Sequence, residues 1–264
     1  MTDMSVPYAW ADHPLISARR AVFLGSPMHL LTMEETLGLA VEAMTERKPL
    51  HHTVVNVAKL VTMQNDEELR RDVTEADLIN VDGMGIVWGA RMFGMTIPER
   101  VAGVEIMERL FELCARQGFR PFLLGAEPHV LESVLQRLEN EFPALEIAGF
   151  CDGYFPPEAE NEVVTKINTA HADCLFVAMP TPRKERFLHR YRDELDVSFV
   201  MGVGGSFDVY GGKVKRAPEW MQRAGLEWAF RIWQEPRRLW RRYYKTNKAY
   251  IRLLWTNWRR RPKR

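Results

Sequence analysis

The chain has 264 residues, 46% of them hydrophobic, so it can bury a sizeable core as one large domain or as a domain with an appendage. Its three cysteines are widely spaced, which excludes a disulfide framework or a C-x-x-C metal site. Because the sequence shows no signal-peptide pattern and no apolar run of about 18 residues, we expect a cytoplasmic protein. The formal net charge of +1 conceals an asymmetry, because residues 213–264 hold 17 lysines and arginines against three acidic residues, which leaves −13 for the rest.

In chain order, residues 1–20 are predicted to form a loose N-terminal arm. Beyond this arm, short β-rich runs alternate with helical patterns, which is typical of an α/β fold with a Rossmann-like, largely parallel sheet flanked by helices. The predicted strands are Ala21–Leu24, His52–Asn56, Asp77–Asp82, Arg120–Gly125, Leu145–Phe150, Cys174–Ala178 and Val197–Val203. The predicted helices are Met33–Arg47, Val57–Val73, Gly83–Phe93, Val104–Gln117, Pro128–Phe142, Pro156–Ala170, Pro182–Tyr191, Ala217–Trp228 and Glu235–Trp255.

Local signals mark helix ends and one boundary. Thr32 followed by Glu35 predicts a capping box at the start of a helix, and Gly118 predicts the end of another. The composition changes near Gly211 and Gly212. We therefore divide the chain into the arm (residues 1–20), an α/β core (residues 21–212) and a helical, basic and aromatic appendage (residues 213–264), called the tail below.

Polar residues and glycines cluster at the ends of predicted strands, where open α/β sheets bind their ligands. Glycines there let the backbone approach a ligand closely, and free N–H groups can hold phosphate. Ordinary strand-to-helix turns also need glycine, so a purely structural role is the alternative for each cluster. The clusters are Asn56, Asp82-Gly83, Gly125, Gly153-Tyr154 and Gly202–Gly205.

Asp82 ends an apolar strand and precedes a glycine, which predicts a half-buried carboxylate at the rim of a cleft. Such a carboxylate can act as a general base, and the same position could equally cap the following helix. The pattern Gly83-x-Gly85-x-x-x-Gly89 is similar to a dinucleotide fingerprint, but its third glycine is one place late. A nucleotide-cofactor oxidoreductase is therefore a weaker alternative.

Motifs for metal binding and for hydrolysis are missing from the sequence. The chain has no D-x-D pair, and the adjacent His51 and His52 would point to opposite faces of a strand. Ser206 lies in a G-G-S-F context rather than in the G-x-S-x-G turn of hydrolases. We expect structural histidines and no metal site.

The tail interleaves basic and aromatic residues at helical spacing, which is typical of a helix lying in a membrane interface. Each basic residue near an anionic surface would contribute on the order of 1 kcal/mol, so we expect residues 231–264 to bind an anionic membrane. Nucleic acid is a second candidate partner, but the net charge of −13 on residues 1–212, called the body below, argues against it. The helix could also pack against the body as ordinary structure. For the function of the whole chain, a non-catalytic protein that binds an anionic or polyprenyl lipid is an alternative to an enzyme.

Several motifs follow one another between about residues 25 and 245: Asn56, Asp82-Gly83-x-Gly85, Glu99–Gly103, Phe122–Gly125, Gly153–Phe155, Gly202–Asp208, Lys215–Pro218 and Leu226–Trp228 followed by Glu235–Arg238. Taken together, they resemble the TagA/WecG/CpsF family of glycosyltransferases. The resemblance implies transfer of a sugar from a UDP-sugar to a polyprenyl-diphosphate-linked saccharide, with inversion, without a metal or other cofactor, at the inner face of the cell membrane. Members build teichoic acid linkage units, enterobacterial common antigen and capsular or exopolysaccharide repeats, and self-association into a homo-oligomer is also implied.

By position, the resemblance makes Asp82 the base that deprotonates the acceptor hydroxyl, an effect typically worth about 10²- to 10⁴-fold. Asn56 and Arg100 match residues that line the donor pocket. Arginines of the tail match residues thought to reach a diphosphate, where a guanidinium can make bidentate bonds; they are Arg231, Arg238 and Arg241. The other residues that we expect to bind substrate are Gly125, Lys184, Glu185 and Gly204.

Two departures from the family pattern bear on the donor sugar. Val54-Val-Asn56 replaces the common Thr-x-Asn and removes a hydroxyl contact. Pro182-Arg-Lys-Glu185 replaces Pro-Lys-Gln-Glu and places Lys184 where a glutamine would contact the donor. We therefore expect a donor hexose other than N-acetylmannosamine, such as an acidic one that would pair with Lys184.

Overall fold

The computed structural model describes residues 10–260, apart from the side chains of Arg223 and Arg238. It confirms the predicted α/β fold, because a six-stranded parallel sheet is flanked by helices. The strands are β1 (Arg20–Phe23), β2 (Ser26–His29), β3 (Leu50–Val55), β4 (Leu78–Val81), β5 (Pro121–Gly125), β6 (Gly149–Cys151), β7 (Cys174–Ala178) and β8 (Phe199–Gly202). The helices are α1 (Pro14–Ala18), α2 (Met33–Glu46), α3 (Val57–Thr62), α4 (Glu67–Thr74), α5 (Met84–Met92), α6 (Gly103–Gln117), α7 (Pro128–Glu141), α8 (Glu160–Thr169), α9 (Arg183–Arg190), α10 (Ser206–Tyr210), α11 (Glu219–Arg223), α12 (Glu227–Gln234) and α13 (Pro236–Arg259).

The six parallel strands lie in the order β4-β3-β8-β7-β5-β6, and β1 and β2 form a separate antiparallel hairpin. Val55 pairs with Val81 and Val177 pairs with Gly202, so neighbouring strands end at similar levels. After β3 the chain adds β4 on one side of β3, and strands β5 to β8 all lie on the other side, with β8 next to β3. This reversal of direction is where an open α/β sheet forms a crevice at its carboxyl edge.

The central strands are buried along their whole length, which explains their nearly continuous apolar sequence. All residues of β3, β5, β7 and β8 are buried. On one face of the sheet, Phe111 of α6 packs against Phe176 of β7 with ring centroids 4.9 Å apart. On the other face, Phe122 and Leu175 belong to a second cluster. The sheet therefore gives its carboxyl edge a rigid support.

Capping signals in the sequence fix the ends of two helices. The Thr32 hydroxyl accepts a hydrogen bond from the Glu35 N–H at 3.2 Å, and the Glu35 carboxylate accepts one from the Thr32 N–H at 2.8 Å. This confirms the predicted capping box at the start of α2. Gly118 follows α6 with a φ of 77°, which confirms the predicted end of that helix.

Some predicted elements differ from the structure. The helix predicted over residues 57–73 is two helices, because the Asp66 carboxylate accepts a hydrogen bond from the Leu69 N–H at 2.9 Å and starts α4 anew. Where a strand was predicted over residues 145–150, β6 covers only residues 149–151. The helix predicted over residues 217–228 is α11 and the start of α12, and α1, β2 and α10 were not predicted. β2 is four buried residues that include Pro27, a sequence without the alternation or β-propensity of a typical strand.

The described part of the predicted arm, residues 10–20, is packed rather than loose, so the prediction was wrong there. Trp10 and Ile16 are fully buried. The Trp10 indole N–H donates a hydrogen bond to the Pro49 carbonyl at 2.9 Å. Residues 1–9 lie outside the described part of the chain.

The tail folds back onto the body, which confirms the interpretation that it packs as ordinary structure. Tyr250 of α13 is 6% exposed, and its hydroxyl donates a hydrogen bond to the Gly85 carbonyl at 2.8 Å. Between α11 and α12, Gly225 lies so close to Trp88 of α5 that an added Cβ would come within 2.6 Å of the ring. Of the helices within residues 10–260, none has the length and apolar character needed to span a membrane. The boundary near Gly211 stays a prediction.

Candidate active site

A cavity of about 650 Å³ lies at the carboxyl edge of the sheet, between the body and the tail. Its body wall consists of the segments that follow β3, β4, β7 and β8, and its tail wall consists of residues of α12 and α13. Cavities of this size and position are where α/β proteins bind their ligands. The strand-end clusters at Asn56, Asp82 and Gly202–Gly205 meet in this cavity, as the sequence predicts.

Asp82 lies directly after β4 and lines the cavity as a half-buried residue. Its backbone N–H donates to the Val55 carbonyl at 3.0 Å, which continues the pairing of β3 with β4 by one residue. Gly83, with a φ of 98°, caps α5, and no side chain caps that helix. The capping alternative for Asp82 is therefore wrong, and among the described residues no group donates a hydrogen bond to its carboxylate.

The surroundings of Asp82 favour a carboxylate that can exchange a proton near neutral pH. Burial raises the pKa of Asp82 to about 6, while the charges of Arg100 and Arg231 act in the opposite direction. Glu227 and Glu105 add to the raised pKa. At pH 7 the group is mostly ionised and retains appreciable basicity, which is the condition for general-base catalysis.

Asn56 and Gly204, which were predicted to bind substrate, both line the cavity. The Asn56 side-chain oxygen accepts a hydrogen bond from the Lys59 N–H at 3.0 Å and thereby caps α3. This bond orients the side chain and leaves its amide N–H groups as donors to a ligand. Gly204 has a φ of 54°, a left-handed conformation that glycine adopts without strain, in the turn after β8.

Lys184 and Glu185 belong to a buried cluster with Lys59. The Lys59 ammonium lies 2.9 Å from the Glu185 carboxylate and donates to the Thr53 hydroxyl at 2.9 Å. Lys184 pairs with the same carboxylate oxygen. The two lysines line the cavity, whereas Glu185 does not. Lys184 was expected to pair with a carboxylate of the donor sugar. In the structure it pairs with the carboxylate of Glu185.

The tail contributes basic side chains to the opposite wall. Arg231 and Arg242 line the cavity, together with Tyr243. Arg241, which was expected to bind substrate, does not line it; its guanidinium lies over the exposed Trp240 ring, 5.6 Å from the centroid. Arg238 lies on α13, but its side chain is outside the described structure.

Two further predicted residues lie outside the cavity lining. Gly125 ends β5 with a φ of 117°, and an added Cβ would come within 2.5 Å of the Ala178 carbonyl oxygen, so close backbone packing explains this glycine. Arg100 lies near Asp82 and joins body to tail, because it contacts Glu105 at 3.1 Å and Glu227 of α12 at 3.3 Å.

The glycines that are similar to a dinucleotide fingerprint have structural roles. Gly83 supplies the positive φ before α5. An added Cβ at Gly85 would come within 2.6 Å of Val57, and one at Gly89 would come within 2.0 Å of the Tyr250 hydroxyl. The last two glycines therefore allow α3 and α13 to pack against α5, and nothing in this pattern points to a bound cofactor.

The buried histidines have structural surroundings, as expected. His52 shares a hydrogen bond of 2.8 Å with Asn80, and His29 accepts one from the Ile79 N–H at 3.0 Å. Burial lowers the pKa of both to about 4, so they are neutral at pH 7. Within residues 10–260, no group of three or more His, Cys, Asp or Glu side chains is placed to hold a metal ion.

Comparison with known proteins identifies relatives of this chain. The model of the Glycosyl transferase WecG/TagA/CpsF family matches residues 21–264. A protein of Bacillus spizizenii strain W23 is 38% identical over 170 residues, which is 64% of this chain and 65% of the relative. One of Bacillus subtilis strain 168 is 35% identical over 182 residues, 69% of this chain and 70% of the relative. Both relatives are named N-acetylglucosaminyldiphosphoundecaprenol N-acetyl-beta-D-mannosaminyltransferase.

Proposed function

The chain belongs to the WecG/TagA/CpsF family of glycosyltransferases, and we propose that it moves a sugar from a UDP-sugar to a polyprenyl-diphosphate-linked saccharide in the synthesis of a cell-surface or exopolysaccharide. The names of the two relatives support an acceptor that carries N-acetylglucosamine on undecaprenyl diphosphate. The observation that carries the proposal is the position of Asp82, a half-buried carboxylate with a raised pKa at a cavity that Arg231 and Arg242 of the tail also line.

Asp82 acts as the general base in this proposal. Its carboxylate takes the proton of the acceptor hydroxyl as that oxygen attacks the anomeric carbon of the donor. The bond between the anomeric carbon and the diphosphate oxygen breaks, UDP leaves with the electron pair, and a single displacement inverts the anomeric configuration. Since no described group donates a hydrogen bond to Asp82, the carboxylate can face the acceptor hydroxyl directly.

The negative charge that develops on the leaving diphosphate needs nearby cations. Arg231 and Arg242 line the tail wall of the cavity and can supply bidentate, charge-assisted hydrogen bonds. Arg238 remains a further candidate from the sequence. The proposal assigns this task to the arginines, so that the reaction proceeds without a divalent metal.

The exposed surface of the tail would hold the protein on the membrane that contains the acceptor lipid. Trp240, Ile251, Trp255 and Trp258 of α13 are each at least half exposed, and basic residues lie between them along the helix. Aromatic and basic side chains in this arrangement favour the interface of an anionic bilayer. Binding to that surface would present the cavity to a diphosphate-linked acceptor at the membrane.

The proposal is tested by incubating the full-length chain with a panel of UDP-sugars and a polyprenyl-diphosphate-linked N-acetylglucosamine acceptor. We expect UDP release that requires the acceptor, an unchanged rate in EDTA, and a product whose new glycosidic bond has the opposite anomeric configuration to the donor. Acceptor-dependent transfer with retention would contradict the single-displacement mechanism. Binding to anionic vesicles without turnover of any donor would instead favour the non-catalytic lipid-binding alternative.

A further inference from the structure

The floor of the cavity carries more positive than negative charge. Lys59, Lys184 and Glu185 are 5%, 3% and 5% exposed, and they bring two ammonium groups together with one carboxylate. The two lysines hold the pKa of Glu185 well below its usual range, although burial acts against this. Burial and the charge of Lys59 lower the pKa of Lys184 to about 8, so the group is still mostly protonated at pH 7. The cluster thus has one cation in excess.

Each ammonium group also has a hydrogen-bond donor to spare. An ammonium has three N–H groups. Lys59 directs two of them at Thr53 and Glu185, and Lys184 directs two at Thr181 and Glu185. One N–H of each lysine is left, and both lysines line the cavity. An excess buried cation is costly unless an anion accompanies it.

The backbone is shaped to bring Lys184 to this place. Its side chain passes directly over Gly202 at the end of β8, where an added Cβ would come within 2.7 Å of the lysine Cδ. Gly202 has no positive φ, so this close approach, and not backbone strain, is what requires glycine. The ion pair between Lys59 and Glu185 joins the segment after β3 to the segment after β7 across the floor.

We propose that Lys59 and Lys184 form an oxyanion subsite on the floor of the cavity, opposite Arg231 and Arg242, and that it binds an anionic group of the donor nucleotide sugar. The inference rests on the proposed function. The chemistry required is a group with two acceptor oxygens and a negative charge. In a nucleotide sugar such a group is either the diphosphate or a carboxylate on the transferred hexose. Glu185 is a positioning residue, because it holds the two lysines side by side.

The test measures binding of UDP, UDP-glucose and UDP-glucuronate to the full-length chain by calorimetry at pH 7. The variants are Lys59→Gln and Lys184→Gln, which remove one charge and keep a hydrogen-bonding side chain. Gly202→Ala is the independent variant, since it displaces Lys184 and keeps its charge. The control is Lys166→Gln, an exposed lysine of α8, and thermal unfolding of each variant shows whether the fold is intact.

Loss of a charge-assisted hydrogen bond should weaken binding on the order of tenfold or more. An equal loss for all three ligands identifies the diphosphate as the bound group. A loss confined to UDP-glucuronate identifies a sugar carboxylate and an acidic donor. Affinities for all three ligands within twofold of the parent chain in folded Lys59→Gln and Lys184→Gln would overturn the subsite. Acceptor-dependent UDP release by the unmodified chain is measured in parallel, so that failure of the subsite is distinguished from failure of the proposed function.

Discussion

The two walls of the cavity are built on different physical principles. The body wall ends four parallel strands whose residues are almost entirely buried, and hydrogen bonds from strand to strand fix its backbone. The tail wall consists of two helices that contact the body at separate points, among them Tyr250 on α5 and the ion pair between Arg100 and Glu227. One wall is therefore part of the core, and the other is docked onto it.

This difference separates two tasks. A base must be held in place to act, and Asp82 follows a buried strand without a break in the pairing. Groups that meet a diphosphate and a membrane benefit from a surface that can adapt, and the arginine side chains of α12 and α13 that the structure describes are partly or fully exposed. Replacement of Asp82 should therefore affect the chemical step, and changes in the tail should affect binding and docking.

The largest effect is expected for Asp82→Asn, which removes the base and keeps the size of the side chain. The turnover number should fall by about 10²- to 10⁴-fold, and the affinity for UDP should be retained because the cationic groups are unchanged. The measurements are UDP release and calorimetry with UDP. Asp193→Asn, at an exposed site, is the control. A turnover number equal to that of the parent chain would remove Asp82 as the base.

Docking of the tail should depend on Tyr250, so Tyr250→Ala should have the next largest effect. Losing a buried aromatic ring costs about 3 kcal/mol, roughly a hundredfold in the equilibrium between docked and undocked helix. Tyr250→Phe keeps the ring and loses only the bond to the Gly85 carbonyl, worth about 1 kcal/mol. Hydrogen exchange of α13 and UDP affinity would be measured. If both variants exchanged like the parent chain, Tyr250 would not be the anchor.

Adjacent arginines of α13 offer a smaller and more selective test. Arg242 lines the cavity, whereas Arg241 lies on Trp240 outside it. We expect Arg242→Gln to weaken UDP binding about tenfold through the loss of a charge-assisted bond. Arg241→Gln should leave UDP affinity nearly unchanged and reduce binding to anionic vesicles. The reverse order of the two UDP affinities would show that α13 is rotated when a ligand is bound.

Much of the body wall could be predicted from the sequence, because the order of its strands and helices depends on local patterns. Apolar runs that alternate with helical periods gave the parallel sheet, and since parallel strands end at one edge, Asn56, Asp82 and the glycines after β8 were expected to meet. The half-buried state of Asp82 followed from its position between an apolar strand and a glycine. These features need only the order of the elements and the rule for open sheets.

Contacts between distant segments could not be read from the sequence. Lys59 and Glu185 are far apart in the chain, and the match of their charges appears only once β3 and β7 lie in one sheet. The choice between Arg241 and Arg242 depends on the rotation of α13 about its axis, and that rotation is set where Tyr250 meets Gly85 and Gly89. Gly85 and Gly89 could be interpreted either as part of a dinucleotide fingerprint or as packing residues for the same reason, because the residues that they contact lie on other helices.

The smallest expected effect concerns the acid limb of the pH profile, which couples the two walls. The pKa of Asp82 is raised to about 6 by burial, so kcat/KM should rise with pH through this value as the carboxylate forms. The charge of Arg100 lowers the pKa of Asp82, and its side chain also pairs with Glu227 of the tail. Arg100→Gln should therefore move the acid limb to higher pH, while Arg109→Gln, at an ion pair on the outer surface of α6, should leave it in place. A limb that moved to lower pH would show that Arg100 acts on Asp82 chiefly by holding Glu227 in place, and not through its own charge.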